Sequence, residues 1–164
     1  MENFNWSSFH KKIHIQTKIE ELYNAWAKAD ELEKWFLRNA DFENPKGERR
    51  KKSDQINAND SYQWSWYLFD VTEKGKILEA NGKDLIKFTF AGDCTVEIKL
   101  EEMESGVMVT LSQSNIPLDN KSKQNIRLGC ESGWSFFMLN LKSVYEGGLD
   151  LRNKNDKLPG MLNN

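Results

Sequence analysis

Cysteine, proline and long apolar runs are all scarce in this 164-residue sequence, which has two Cys and three Pro. Cys94 and Cys130 are too few to form the disulfide framework of a small secreted domain. No run approaches the roughly 18 apolar residues that would cross a bilayer, and no signal-peptide pattern opens the chain. We therefore expect a cytoplasmic protein in which each cysteine is a small buried apolar side chain.

Neither sign of charge is in large excess, because 23 Lys and Arg face 25 Asp and Glu, with a pI near 5.8. This balance argues against a protein that works mainly on nucleic acid, which requires an excess of basic residues. One local excess exists at residues 47–52, where Arg49, Arg50, Lys51 and Lys52 follow one another within the polar stretch 44–60. Such a run is typical of a solvated loop, and an interaction patch is the alternative.

The sequence also lacks the groupings of side chains that hold metals or perform catalysis. His10 and His14 share one face of a predicted strand, but no Asp, Glu or Cys nearby completes a metal set. Neither cysteine is accompanied by the His and Asn or Asp arrangement that activates a thiol. We predict no metal site, no cofactor and no dedicated catalytic centre.

Aromatic residues, by contrast, are abundant: six Trp, nine Phe and four Tyr. They supply a large apolar area, and the chain length is close to that of one ordinary domain. We predict a single domain over residues 1–164, with a core at about 8–152 and a polar tail at 153–164.

The order of the periodic segments predicts an α+β fold. Alternating residues predict strands at 10–16, 62–69, 77–80, 86–90, 94–101 and 107–111. Helical spacing predicts two short helices directly after the first strand and a long C-terminal helix at 123–145. Residues 73–76 are interpreted as a hairpin turn. A curved antiparallel sheet wrapped around the long helix, the helix-grip architecture, would bury its aromatic face and leave a cavity between the two.

Five segments also carry a family resemblance: ELEKWF (31–36), YQWSWYLFDVTEKGKILE (62–79), DLIKFTF (84–90), VMVTLSQSNI (107–116) and GWSFFMLNLKSVYEGGLDLR (133–152). In order and spacing they resemble the START-like (SRPBCC) superfamily. Within it they resemble the branch homologous to the activator of the ninety-kilodalton heat-shock chaperone's ATPase. Trp35 and the pair Gly133-Trp134 are the most specific marks. The loop 43–60 is longer and more basic than in the family, and residues 59–61 replace its Gly-rich start of the second strand.

This resemblance implies the helix-grip (START/Bet v 1-like) fold and a cavity between the sheet and the C-terminal helix. The residues expected to line it are Trp35, Trp64, Trp66, Phe88, Phe90, Trp134, Phe137, Met138 and Leu141. For any one of them a packed core is the favoured interpretation, because an interior needs the same residues, and the resemblance supports the group without selecting individual members. Asp93, Arg127 and Glu131 are candidate polar groups of the cavity, with solvated charges at its rim as the alternative.

Three classes of function remain open from the sequence. The first is a non-catalytic module that binds a small hydrophobic or amphipathic ligand. The second is a co-chaperone-like protein that docks on a heat-shock chaperone or another protein partner, with the basic run as its contact. The third is an enzyme, because the superfamily includes cyclases and hydrolases, although no acid–base pair in this sequence favours it.

Overall fold

The computed structural model describes residues 4–164 of the chain. Its strands are β1 (Phe9–Ile15), β2 (Asn39–Glu43), β3 (Ser61–Trp66), β4 (Phe69–Ala80), β5 (Leu85–Phe90), β6 (Cys94–Met103) and β7 (Gly106–Ser114). They form one sheet in the order β1-β7-β6-β5-β4-β3-β2, and every neighbouring pair is antiparallel. This curved sheet, closed on one face by a long helix, confirms the predicted helix-grip fold.

Two short helices, α1 (Ile19–Ala27) and α2 (Ala29–Trp35), connect β1 to β2 as predicted. After β7, residues 120–145 are continuously helical in three sections. These are α3 (Asn120–Ser122), a π-helical segment (Lys123–Leu128) and α4 (Gly129–Tyr145). Within residues 4–164, no helix is both long and apolar enough to cross a membrane.

The period-two pattern of the strands determines which face of the sheet α4 covers. In β6, Val96 and Ile98 are buried, whereas Lys99 is exposed at the other face. Trp134 and Leu141, on the inner side of α4, are also buried. Because apolar side chains leave water on both elements, the core lies between α4 and the concave face of the sheet.

The hairpin turn predicted at residues 73–76 is wrong. These residues lie inside β4, and the turn between β3 and β4 is formed by Tyr67 and Leu68. Gly75 suggested a turn, but it pairs with Tyr62 on β3, and a Cβ atom at Gly75 would lie 2.6 Å from that ring. The glycine is therefore required because an aromatic ring packs closely on the strand.

Strand β2 was not predicted at all. Its five residues pair with β3 and form one edge of the sheet, but they are too few for alternation to be evident in the sequence. Its partner strand supplies the hydrogen bonds that make the segment extended. Tertiary pairing, rather than local pattern, explains this strand.

The chain after α4 is held to the domain by Arg152, whose side chain is 3% exposed. Its guanidinium donates hydrogen bonds of 2.9 Å to the carbonyl oxygens of Leu37 and Glu33, and it pairs with Asp150. Beyond it, the backbone N–H of Asn153 donates to the carbonyl of Asn163 at 2.6 Å. The polar tail therefore folds back on itself beside the core.

Candidate functional site

A cavity of about 480 Å³ lies between the C-terminal helix and the β3–β4 end of the sheet. It is bounded by the β3–β4 turn, the end of β5, the end of α2 and the helix from the π-helical segment onward. Its lining residues are Phe36, Trp66, Tyr67, Leu68, Phe69, Val71, Glu73, Phe90, Ala91, Asn125, Gly129, Cys130, Gly133, Trp134, Phe137 and Asn164. The surface of the cavity is therefore largely apolar and aromatic.

The aromatic walls support one another through ring contacts. Phe36 stacks on Trp134 with ring centroids 5.0 Å apart and meets Phe137 edge to face at 4.9 Å. Phe90 contacts Trp134 at 5.1 Å from the sheet side. Such contacts add stabilisation beyond the buried area and restrict the rotamers of each ring. The cavity is therefore preformed by packed rings.

Two glycines make room for the cavity on its helical side. Gly129 and Gly133 are one turn apart on α4, and both line the cavity. A Cβ atom at either position would meet no atom within 4 Å. Because both lie inside the helix predicted at 123–145, where glycine is unfavourable, the sequence pattern predicts close backbone approach or a bent first turn at these positions. The structure shows open space in front of them.

Backbone strain is also found at the cavity wall. Leu68 has φ of 57° and Ala91 has φ of 53°, a region that non-glycine residues rarely occupy. Both residues line the cavity. The backbone N–H of Ala91 donates a 2.7 Å hydrogen bond to Oε1 of Glu73, which helps to hold the unfavourable turn. Strain of this kind tends to cluster at functional sites.

Four of the nine residues expected to line the cavity do so in the structure: Trp66, Phe90, Trp134 and Phe137. The other five, Trp35, Trp64, Phe88, Met138 and Leu141, are buried in the core and are not part of the cavity surface. Trp35, for example, is fully buried and donates its indole N–H to the carbonyl of Ala25 at 3.0 Å. The cavity occupies only one end of the interface between sheet and helix.

The three candidate polar groups lie outside the cavity lining. Asp93 is exposed in the turn between β5 and β6. Arg127 is buried, pairs with Glu131, donates to the carbonyl of Asn5 at 3.1 Å and lies over the ring of Phe9. These contacts fasten the segment before β1 to the helix.

Most of the lining residues escaped the sequence analysis, and three of them show why. Glu73 had been placed in the wrong turn, and Leu68 had been placed inside a strand. Asn125 lies in the π-helical segment, which has no recognisable sequence signature. Gly129 and Gly133 lie inside the helix predicted at 123–145, and their spacing of four residues was the available signal for a cavity.

Both cysteine thiols are held in the protonated form. Burial raises the pKa of Cys130, which lines the cavity, to about 11, and it also raises the pKa of Cys94. A thiol with a raised pKa is a poor nucleophile at neutral pH. Within the described residues no group of three His, Cys, Asp or Glu side chains is arranged to hold a metal ion.

Most charges of the basic run are paired within the domain. Arg49 pairs with Asp41, and Lys52 pairs with Glu33 at 2.6 Å. Arg50 binds the fully buried carboxylate of Asp60 through two hydrogen bonds of 2.5 and 2.8 Å. The basic run is therefore tied into the fold by ion pairs and is not a free cationic loop.

The sequence profile of one family, described as Activator of Hsp90 ATPase homolog 1-like protein, matches residues 16–146. That match spans most of the chain and includes strands β2 to β7, all of α4 and every residue of the cavity lining except Asn164. The chain belongs to this family. No curated protein sequence matches it significantly.

Solved structures with the same architecture have low sequence identity to this family member. A Staphylococcus saprophyticus protein aligns with a TM-score of 0.68 and 18% identity, covering 88% of this chain and 96% of that one. The Aha1 dimer from Colwellia psychrerythraea aligns with a TM-score of 0.67 and 19% identity, covering 86% and 97% respectively. At such identities the similarity establishes the fold alone.

Proposed function

We propose that the protein is a non-catalytic binding module that holds a small hydrophobic or amphipathic molecule in the cavity between its sheet and α4. The observation that carries this proposal is the pair of helix glycines that face open space. Gly129 and Gly133 leave the cavity free where alanine would fit without a clash.

The free-energy argument follows from helix propensity. Glycine in a helix interior costs about 1 kcal/mol relative to alanine. At both positions a Cβ atom would meet no neighbour within 4 Å, so no steric contact explains the glycines. A space maintained at the expense of helix stability is best explained by a molecule that enters it.

The dimensions and surface of the cavity support the same proposal. Its volume of about 480 Å³ falls in the range of small-molecule pockets. Seven of its lining residues are aromatic, and the strained backbone at Leu68 and Ala91 lies beside them. An amphipathic molecule would place its apolar part among the rings and its polar part toward the opening.

The alternative is docking on a protein partner, with a heat-shock chaperone as the candidate. It is supported by the description of the family rather than by a surface of this chain. The basic run was the expected contact. Its internal ion pairs leave little positive charge free to attract an acidic partner.

The experiment uses N-phenyl-1-naphthylamine, an uncharged dye that becomes fluorescent in apolar sites. The parent protein should bind it, and Gly133→Leu should abolish binding because the leucine side chain occupies the cavity. The matched control is Ser132→Leu, which adds the same side chain at an exposed neighbouring position outside the cavity. Unchanged dye binding by a folded Gly133→Leu variant would refute the proposal.

A further inference from the structure

Glu73 is the only charged side chain among the residues that line the cavity. We infer that the ligand is a cationic amine with an apolar body, whose ammonium group is bound by the carboxylate of Glu73. This inference rests on the proposed binding function and identifies the chemical class of the ligand.

The strand register places this carboxylate on the inner side of the sheet. Glu73 on β4 is paired with Trp64 on β3, and paired residues project to the same face. Trp64 is 2% exposed and belongs to the core. Glu73 itself is half-buried, so its carboxylate lies at the margin of this apolar face.

Only half of the carboxylate is used within the protein. Oε1 accepts the hydrogen bond from the backbone N–H of Ala91, and Oε2 accepts none from residues 4–164. One oxygen is therefore available to a molecule in the cavity. Burial raises the pKa of the nearby Tyr62 hydroxyl, and the negative charge of Glu73 raises it further. The carboxylate of Glu73 therefore lies close enough to Tyr62 to affect the ionisation of its hydroxyl.

The surrounding rings favour the same class of ligand. The faces of Trp66, Trp134 and Phe90 carry negative potential, and an organic cation within reach of them gains cation–π attraction. Three cations, Arg38, Arg152 and Lys154, lie over the ring of Tyr67 at 5.9, 5.4 and 5.1 Å, and none of them lines the cavity. Arg152 and Lys154 are also paired with Asp150.

The test compares three probes that share one ring system: 1-naphthylmethylamine, 1-naphthylmethanol and 1-naphthoate. Their dissociation constants are measured by isothermal titration calorimetry at neutral pH. The amine should bind about tenfold more tightly than the alcohol, the usual scale for a hydrogen bond to a charged group. The naphthoate should bind most weakly, because its carboxylate meets that of Glu73.

Glu73→Gln should abolish the preference for the amine while leaving the binding of the alcohol unchanged. The glutamine keeps a carbonyl oxygen for the N–H of Ala91, so the turn retains its hydrogen bond. Glu79→Gln is the control, since it removes a carboxylate from the same strand outside the cavity and should keep the preference.

The outcomes separate the two proposals. If the alcohol binds the parent as tightly as the amine, if the naphthoate binds best, or if Glu73→Gln keeps the preference, the inference is wrong and the binding function stands. If none of the probes binds the parent, the binding function fails, and the inference fails with it. The comparison of probes on the parent remains decisive even if a variant does not fold.

Discussion

The indole N–H of Trp134 donates a 3.0 Å hydrogen bond to Oε1 of Gln113, joining α4 to β7 across the interior. Gln113 is fully buried and Trp134 is 2% exposed. The bond fixes the plane of a ring that forms one wall of the cavity. One side chain therefore serves both the core and the candidate site.

Trp134→Ala should lower the free energy of unfolding by about 3–5 kcal/mol, the usual cost of emptying a large aromatic position in a core. Part of the loss comes from Gln113, whose buried amide loses its partner. Urea denaturation measures the effect, with Trp6→Ala near the surface as the control. A melting temperature within a degree or two of the parent would contradict this packing.

Arg50→Gln should destabilise the domain by about 3 kcal/mol, because it leaves the buried carboxylate of Asp60 without its cation. Lys51→Gln, at the adjacent exposed position, should change stability by less than about 0.5 kcal/mol. Equal stability of the two variants in chemical denaturation would show that the basic run is a dispensable loop.

Gly133→Ala should raise the free energy of unfolding by up to about 1 kcal/mol, because alanine favours the helix and its methyl group enters open space. The measurement is a urea melt of the parent and variant. Destabilisation by this change would mean that the backbone at Gly133 is closely packed, contrary to the structure.

Stability should fall as the pH is lowered below about 4. Burial acts to raise the pKa of Asp150, but hydrogen bonds from Arg152 and Lys154 outweigh it and hold the pKa well below its ordinary value of 3.8. An acid with a lowered folded-state pKa stabilises the fold above its unfolded-state pKa, and this contribution is lost as the pH falls toward the folded-state value. Asp150→Asn should make the free energy of unfolding, measured with urea, less dependent on pH between pH 5 and pH 2. If the variant shows the same pH dependence as the parent, Asp150 is not the source of this effect.

Cys130 should react slowly with iodoacetamide at pH 8, because burial raises its pKa to about 11 and little thiolate is present. The rate should increase with pH, and a molecule that fills the cavity should slow it further. Mass spectrometry of the alkylated peptide distinguishes Cys130 from the buried Cys94. A rate equal to that of a free thiol would place Cys130 outside the cavity wall.

The sequence was most informative where a pattern repeated along one element. Strand β6 and helix α4 each bury one face, and this produces alternation in the strand and an apolar stripe along the helix. Both patterns are visible in the local sequence, so both elements were predicted correctly. Strand β2 and the β3–β4 turn depend on a neighbouring strand, and neither was found. A single glycine, Gly75, supplied a turn signal that the close packing of Tyr62 explains instead.

By itself, the sequence determined the order of the main strands and helices and an interior built from aromatic side chains, because hydrophobic periodicity and composition are properties of the chain. The family was recognised through the resemblance of five segments to known members. Which aromatic residues line the cavity was decided only by tertiary structure. Trp64 and Trp66 alternate identically on β3, yet Trp64 is in the core and Trp66 borders the opening. The physical reason is that the alternation of residues along a strand determines only which face of the sheet a side chain is on. Whether that side chain borders open space depends on how far the side chains of the facing helix fill the interface. At Gly129 and Gly133 the helix leaves that space.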